Sequence, residues 1–111
     1  MNGGGGLPVI ACELGALSPP ERQRRAELAD ALKSAIVNVT DLPSGYEIHV
    51  GGDAVIATEV HEFVALERRC CPFLTLQIAT DPASGRMIVT ITGGPGVKEF
   101  IAAQFGAKEV P

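Results

Sequence analysis

Glu67-Arg68-Arg69-Cys70-Cys71-Pro72-Phe73 is the stretch at which a helical pattern ends and a strand pattern begins. It holds two of the three cysteines of this 111-residue chain. A proline disfavours helical geometry in the residue before it, which here is Cys71. We therefore expect Cys70 in the last turn of a helix and Cys71 in the joint that follows.

The segments on either side of this joint have different periodicities. Before it, apolar residues recur at helical spacing behind a candidate N-cap, Asp53, and Cys70 continues their buried side. After it, residues 73–80 and 87–92 alternate between apolar and polar side chains, which predicts a hairpin. The glutamates of the helix are expected to be solvated: Glu59, Glu62 and Glu67.

The first half of the chain predicts a further helix and strand. Ser18-Pro19-Pro20-Glu21 has the residues of a capping box with proline at the first helical position, so a helix is expected over residues 20–37. Residues 40–45 are expected to form a loop and residues 46–50 a strand. The charged side of this helix is expected to face solvent: Arg22, Arg24, Arg25 and Glu27.

These elements predict an α+β protein, a two-layer sandwich with the order (β)αβαββα. The bracketed strand is a short one at Leu7–Leu14, and a last helix follows residue 96 and ends near Gly106. The sheet is expected to be mixed and three- to four-stranded, with helices on one face and a right-handed parallel crossover between residues 46–50 and 73–80. Residues 1–8 are expected to be a flexible tail and residues 9–111 a single domain.

Composition limits the classes of partner. The net charge of −4 argues against nucleic acid, and no apolar run approaches the roughly 18 residues that a membrane span needs. The first residues lack the charged start of a secretory signal, so we expect a cytoplasmic protein with reduced, free thiols. Three is also an odd number of cysteines, which excludes complete pairing within one chain.

The cysteines are the candidate metal ligands. Cys12 precedes the first helix and the Cys70–Cys71 pair follows the second, so one end of the sandwich can gather all three sulfurs. Thiolates suit a soft ion such as Hg(II), Cu(I) or Zn(II). Arg68 and Arg69 favour the thiolate form, whereas the negative end of the helix dipole disfavours it, and the sequence leaves that balance open.

Other interpretations of the same residues compete with a metal site. Cys70 can be a small core residue, since free cysteine is among the most buried residue types. A disulfide between Cys70 and Cys71, or between Cys12 and one of them, would indicate a thiol-redox protein, although the Cys-x-x-Cys motif is absent. A third alternative is a non-enzymatic interaction module, including a homodimer formed through a strand edge or the polar sheet face.

Enzyme motifs are incomplete in this sequence. His49 is expected on the polar face of its strand and His61 on the exposed side of its helix, so neither predicts a base for a cysteine nucleophile. Thr92-Gly93-Gly94-Pro95-Gly96 opens a helix but lacks the Lys-Ser/Thr of a nucleotide-binding loop. We interpret it as a turn between a strand and a helix.

Three segments together resemble a family of small uncharacterised bacterial proteins: Ala11–Leu14, Leu66–Leu74, and Thr92–Gly93 with Gly96–Phe100. The resemblance spans Ile10 to Phe105 and is most specific at Glu-Arg-Arg-Cys-Cys-Pro-Phe. Some relatives are associated with mercury-resistance genes, which implies a link to soft metals. The family's cysteines correspond to Cys12, Cys70 and Cys71. This chain departs from the family at Gly94, an extra glycine that puts the entry of the last helix in doubt.

Overall fold

The computed structural model describes residues 13–105. Predictions that concern residues 1–12 and 106–111, including the tail, most of the Leu7–Leu14 strand, Cys12 and Gly106, lie outside the described residues. A 3-10 turn at Leu14–Ala16 precedes the other elements. These are α1 (Pro19–Ala35), β1 (Ile36–Leu42), β2 (Gly45–Val50), α2 (Ala54–Cys70), β3 (Thr75–Thr80), β4 (Met87–Thr92) and α3 (Val97–Phe105).

The sheet has four strands in the order β1-β2-β4-β3, and every neighbouring pair is antiparallel. The α+β, two-layer prediction is confirmed. The prediction of a mixed sheet is wrong, because β4 lies between β2 and β3. Val89 of β4 pairs with Ile48 on one side and with Ile78 on the other. The predicted parallel neighbours are therefore separated by one strand.

Strand β1 replaces the predicted end of the first helix and the loop after it. The helix ends at Ala35, and residues 36–42 pair with β2 as a hairpin whose connection is Pro43–Ser44. The run Ile36-Val37-Asn38-Val39-Thr40 is rich in β-branched residues, which favour extended structure. Ile36 and Val39 also fit the helical spacing set by Leu28 and Leu32, and that coincidence produced the incorrect helix boundary.

Both long helices begin where the sequence predicts. Ser18 and Glu21 form the complete capping box at the start of α1. Asp53 accepts hydrogen bonds from the N–H groups of Val55 and Ile56 at the start of α2. These caps satisfy N–H groups that have no partner within the helix, and each typically contributes about 1 kcal/mol.

The main core lies between the sheet and the helices. Its fully enclosed side chains come from β2, β4, α2 and α3: Ile48, Val50, Val60, Val64, Met87, Val89, Ile91, Val97 and Ile101. A second, smaller cluster contains Leu17, Cys70 and Cys71, at the C-terminal end of α2. Among residues 13–105, no helix has both the length and the apolar character needed to cross a membrane.

Candidate metal-binding site

Cys70 and Cys71 lie at the end of α2, as the sequence predicts. Cys70 is the last helical residue and Cys71 is the C-cap, whose N–H donates to the carbonyl of Glu67 at 2.7 Å. The carbonyl of Cys71 accepts from the N–H of Leu74 at 3.2 Å, which fixes the turn through Pro72. The two Sγ atoms are 3.7 Å apart, and both residues are 0% exposed.

The two cysteines differ in redox state. Cys70 is a free thiol, whereas Cys71 is disulfide-bonded. Cys70 is not the partner, because an S–S bond is about 2.05 Å long and these sulfurs are 3.7 Å apart. The expectation of free thiols is correct for Cys70 and wrong for Cys71, and the role of Cys12 as a third ligand stays a prediction.

Glu67 is a candidate ligand that the sequence analysis does not predict. We expected a solvated side chain, but Glu67 is 0% exposed. Its Oε1 accepts from Nε of Arg25 at 2.8 Å and lies 2.7 Å from a second guanidinium nitrogen of Arg25. Its Oε2 has no hydrogen-bond partner among the described residues. A buried carboxylate oxygen without a partner is costly, so the site presents an unused acceptor.

The position of Glu67 in α2 explains its burial. It lies seven residues after Val60, four after Phe63 and three before Cys70, so helical geometry places it on the buried side. Arg25, from the facing helix α1, was also expected to be solvated and is instead largely buried, with a side chain 13% exposed. A charged residue at a position of the apolar stripe of α2 was the signal available in the sequence.

Glu67, Cys70 and Cys71 form a group of potential metal ligands. One oxygen and two sulfurs lie within 4.8 Å of one another, and all three residues are buried. The Sγ of Cys70 is 3.8 Å from Oε1 of Glu67. Thiolate sulfur and carboxylate oxygen are both common zinc ligands. The geometry can therefore serve a cation held at the end of α2.

Burial raises the pKa of the two titrating groups in this cluster. For the Cys70 thiol, desolvation is the main cause, and the nearby charge of Glu67 raises its pKa further, while Arg25 acts in the opposite direction. For Glu67, desolvation again dominates over the pKa-lowering effect of Arg25. Burial and the charge of Glu67, which the sequence analysis does not weigh, therefore favour the thiol form of Cys70. Metal binding would have to displace these protons.

Arg69, next to the cysteines, directs its side chain to other partners. Arg69 donates to Glu21, the capping residue of α1, and to the carbonyl of Ala16 at 3.1 Å. Arg68 is exposed. The contacts of Arg69 connect the end of α2 to the first turn of α1 and to the residues before it. In the same region, the N–H of Glu13 donates to the carbonyl of Cys70 at 2.6 Å.

Apolar side chains enclose the cysteines. Leu17 is 2% exposed and packs against both, and partly buried residues complete the surround: Leu66, Phe73, Leu74 and Phe100. The rings of Phe73 and Phe100 meet edge to face, with centroids 5.3 Å apart. Such an enclosure suits a closed site that excludes water more than a site open to substrate.

The histidines lie apart from this cluster. The Nε2 atom of His49 is 2.8 Å from Oε1 of Glu47, its neighbour but one on β2. His61 is exposed, and its Nδ1 atom is 2.9 Å from the carbonyl oxygen of Ala57. Neither belongs to the ligand group of the described residues.

Comparison of the chain with protein-family models, with curated proteins and with solved structures found no match in any of the three.

Proposed function

We propose that the reduced protein binds a thiophilic metal ion through Cys70 and Cys71, with Cys12 as a third ligand. The observation that carries the proposal is the grouping of the two sulfurs with a carboxylate oxygen, all within 4.8 Å of one another. Polarizable sulfur donors suit soft or borderline ions, among them Hg(II), Cu(I) and Zn(II). The resemblance to a family associated with mercury resistance makes Hg(II) one of the first ions to test.

The surroundings of Cys70 support the inclusion of Cys12. Glu13, the residue after Cys12 in the sequence, is hydrogen-bonded through its N–H to the carbonyl of Cys70. The sequence neighbour of Cys12 thus contacts Cys70, which is the reason to include Cys12 among the ligands to be tested.

Reduction is a required step, because Cys71 is disulfide-bonded. A dithiol reductant supplies two electrons and two protons, the S–S bond breaks into two thiols, and the dithiol becomes a disulfide. The metal ion then replaces the thiol protons. The proposal thus concerns the reduced protein, and the oxidised protein serves as its control.

The experiment is an anaerobic titration of the reduced protein with Zn(II), and separately with Hg(II), followed by calorimetry or competition with a chelator. Cys70→Ser and Cys71→Ser should each weaken binding at least about 100-fold, since loss of a ligand costs no less than loss of an outer-shell partner. His61→Ala removes an exposed imidazole and should leave affinity unchanged. Unchanged affinity in both serine variants would overturn the proposal.

A second candidate function is thiol–disulfide exchange, which the proximity of a free thiol to a disulfide-bonded cysteine favours. The Cys70 thiolate would attack Sγ of Cys71, form a Cys70–Cys71 bond and release the former partner sulfur, which takes up a proton. The raised pKa of Cys70 opposes this reaction, because the thiolate is the nucleophile. Alkylation of the native protein followed by mass spectrometry tests exchange: the released partner sulfur becomes labelled if exchange occurs, whereas a static disulfide allows labelling of Cys70 alone.

A further inference from the structure

The distance between the two cysteine sulfurs selects a coordination geometry. At a metal–sulfur bond of about 2.3 Å, two sulfurs on a tetrahedral ion are roughly 3.8 Å apart, and two sulfurs on a linear ion are roughly 4.6 Å apart. The observed separation is 3.7 Å. It matches the tetrahedral arrangement, whereas linear coordination by these two residues would need the sulfurs to move apart by almost 1 Å.

Backbone hydrogen bonds at the end of the helix hold the two cysteines in place. The N–H of Cys71 is bonded to Glu67, its carbonyl to Leu74, and the carbonyl of Cys70 to Glu13. None of these hydrogen bonds involves sulfur, so we expect them to persist when the disulfide of Cys71 is reduced. The two thiols therefore stay adjacent in the reduced protein.

Glu67 supplies an oxygen that nothing else in the described chain uses. Oε1 is held by Arg25, while Oε2 is fully buried and has no hydrogen-bond partner within residues 13–105. Oε1 is 3.8 Å from Sγ of Cys70, and one of the two carboxylate oxygens lies within 4.8 Å of both sulfurs. A cation bound there would satisfy the oxygen and remove the cost of its burial.

Charge balance favours a divalent ion. Two thiolates and one carboxylate carry three negative charges, and the guanidinium of Arg25, which contacts Glu67, offsets one of them. A divalent ion neutralises the remaining two, whereas a monovalent ion such as Cu(I) leaves a buried negative charge. A third thiolate from Cys12 would add one negative charge in either case, so the divalent ion still leaves the smaller excess. Buried charges persist only when they are paired, so neutrality matters in this enclosed site.

We propose that Glu67 is a metal ligand and that the site takes a tetrahedral, borderline divalent ion of the Zn(II) type through mixed sulfur and oxygen coordination. This inference rests on the proposed function and specifies its ion. Arg25 is a positioning residue, because it orients the carboxylate through Oε1 and leaves Oε2 for the metal. Carboxylate oxygen is a good ligand for zinc and a poor one for the softest ions.

The test compares Zn(II) and Hg(II) binding to the reduced wild-type protein and to Glu67→Gln. We expect the substitution to weaken Zn(II) binding about 10- to 100-fold and to change Hg(II) binding less than about threefold. Glu62→Gln, at a half-buried glutamate of the same helix that is paired with Arg24, is the matched control and should change neither affinity. Unchanged Zn(II) affinity in Glu67→Gln would overturn the ligand role.

X-ray absorption at the zinc edge of the wild-type protein tests the inference without relying on a variant that folds. Sulfur together with a nitrogen or oxygen neighbour is expected, and an all-sulfur shell would overturn the role of Glu67. If the wild-type protein binds neither Zn(II) nor Hg(II), the proposed function itself fails. If it binds both and only the oxygen ligand is missing, the thiol site stands and the inference about Glu67 fails.

Discussion

Two neighbouring arginines of α1 make contrasting ion pairs with two glutamates of α2. Arg24 donates from Nε and from a terminal nitrogen to the two oxygens of Glu62, both at 2.8 Å, and the two side chains are 42% and 40% exposed. Arg25 directs its contacts to one oxygen of Glu67, and that pair is 13% and 0% exposed. The exposed pair satisfies both oxygens, whereas the buried pair leaves one without a partner.

The pKa values of the two glutamates are shifted in opposite directions, because different effects dominate at the two sites. The hydrogen bonds from Arg24 lower the pKa of Glu62, because water still solvates that carboxylate. Desolvation raises the pKa of Glu67 despite Arg25. The same residue types on the same two helices thus form a solvated ion pair in one place and part of a candidate site in the other. The difference between them is burial.

The largest expected effect is on stability, in Arg25→Ala. Removing the guanidinium leaves the carboxylate of Glu67 buried without compensation, which should lower the free energy of unfolding by about 3–5 kcal/mol at neutral pH. Denaturant unfolding measures this loss. The double variant Arg25→Met/Glu67→Leu should recover most of it, since apolar residues can replace a buried pair. A full loss in the double variant would mean that packing, rather than charge, explains the effect.

The next largest effect is the stabilisation of the reduced protein by Zn(II) bound at Glu67 and the two thiols. At a free Zn(II) concentration of roughly 100 times Kd, binding should stabilise the reduced protein by about 2.7 kcal/mol. For a domain of this size that raises Tm by roughly 10 °C. The oxidised protein and reduced Cys70→Ser should show no comparable shift in a thermal scan. An equal shift in the oxidised protein would contradict a site that depends on reduction.

The sequence predicted the elements whose signals are local. The Ser18–Glu21 capping box, the Asp53 cap and the alternation in β3 and β4 each depend on residues a few positions apart, and the structure contains them. The strand order depends on pairing across the whole chain. Nothing in the alternation of residues 46–50 distinguishes β3 from β4 as a neighbour, since both strands have the same apolar period.

The site was only partly predictable for a related reason. Cys70 and Cys71 were placed correctly, because a proline after a helical stripe marks a helix end. Glu67 and Arg25 were assigned to solvent, because a charged side chain is rarely buried unless it is paired. The pairing joins residues 42 positions apart. Single-residue tendencies carry no information about such a contact between helices.

A smaller loss of stability is expected at acid pH, where the carboxylates that form ion pairs between the helices become protonated. Hydrogen bonds from Arg69 and from the backbone of Ser18 lower the pKa of Glu21 to about 2 in the folded protein, and the pKa of Glu62 is also lowered. The unfolded chain binds more protons below about pH 4.5, so stability falls as pH decreases from there toward 2. Glu21→Gln should flatten this dependence in urea unfolding at pH 7, 4.5 and 3. A variant with the wild-type slope would show that Glu21 is not responsible.

The smallest expected effect is in Arg24→Ala, the exposed counterpart of Arg25→Ala. Water solvates Glu62 when its partner is lost, so Tm should fall by no more than a few degrees. Raising the salt concentration should reduce the difference between wild type and Arg24→Ala, because exposed charges are screened. The same salt should hardly change the effect of Arg25→Ala, whose partner carboxylate is 0% exposed. Equal losses in the two variants would remove burial as the explanation, and with it the reason to treat Glu67 differently from Glu62.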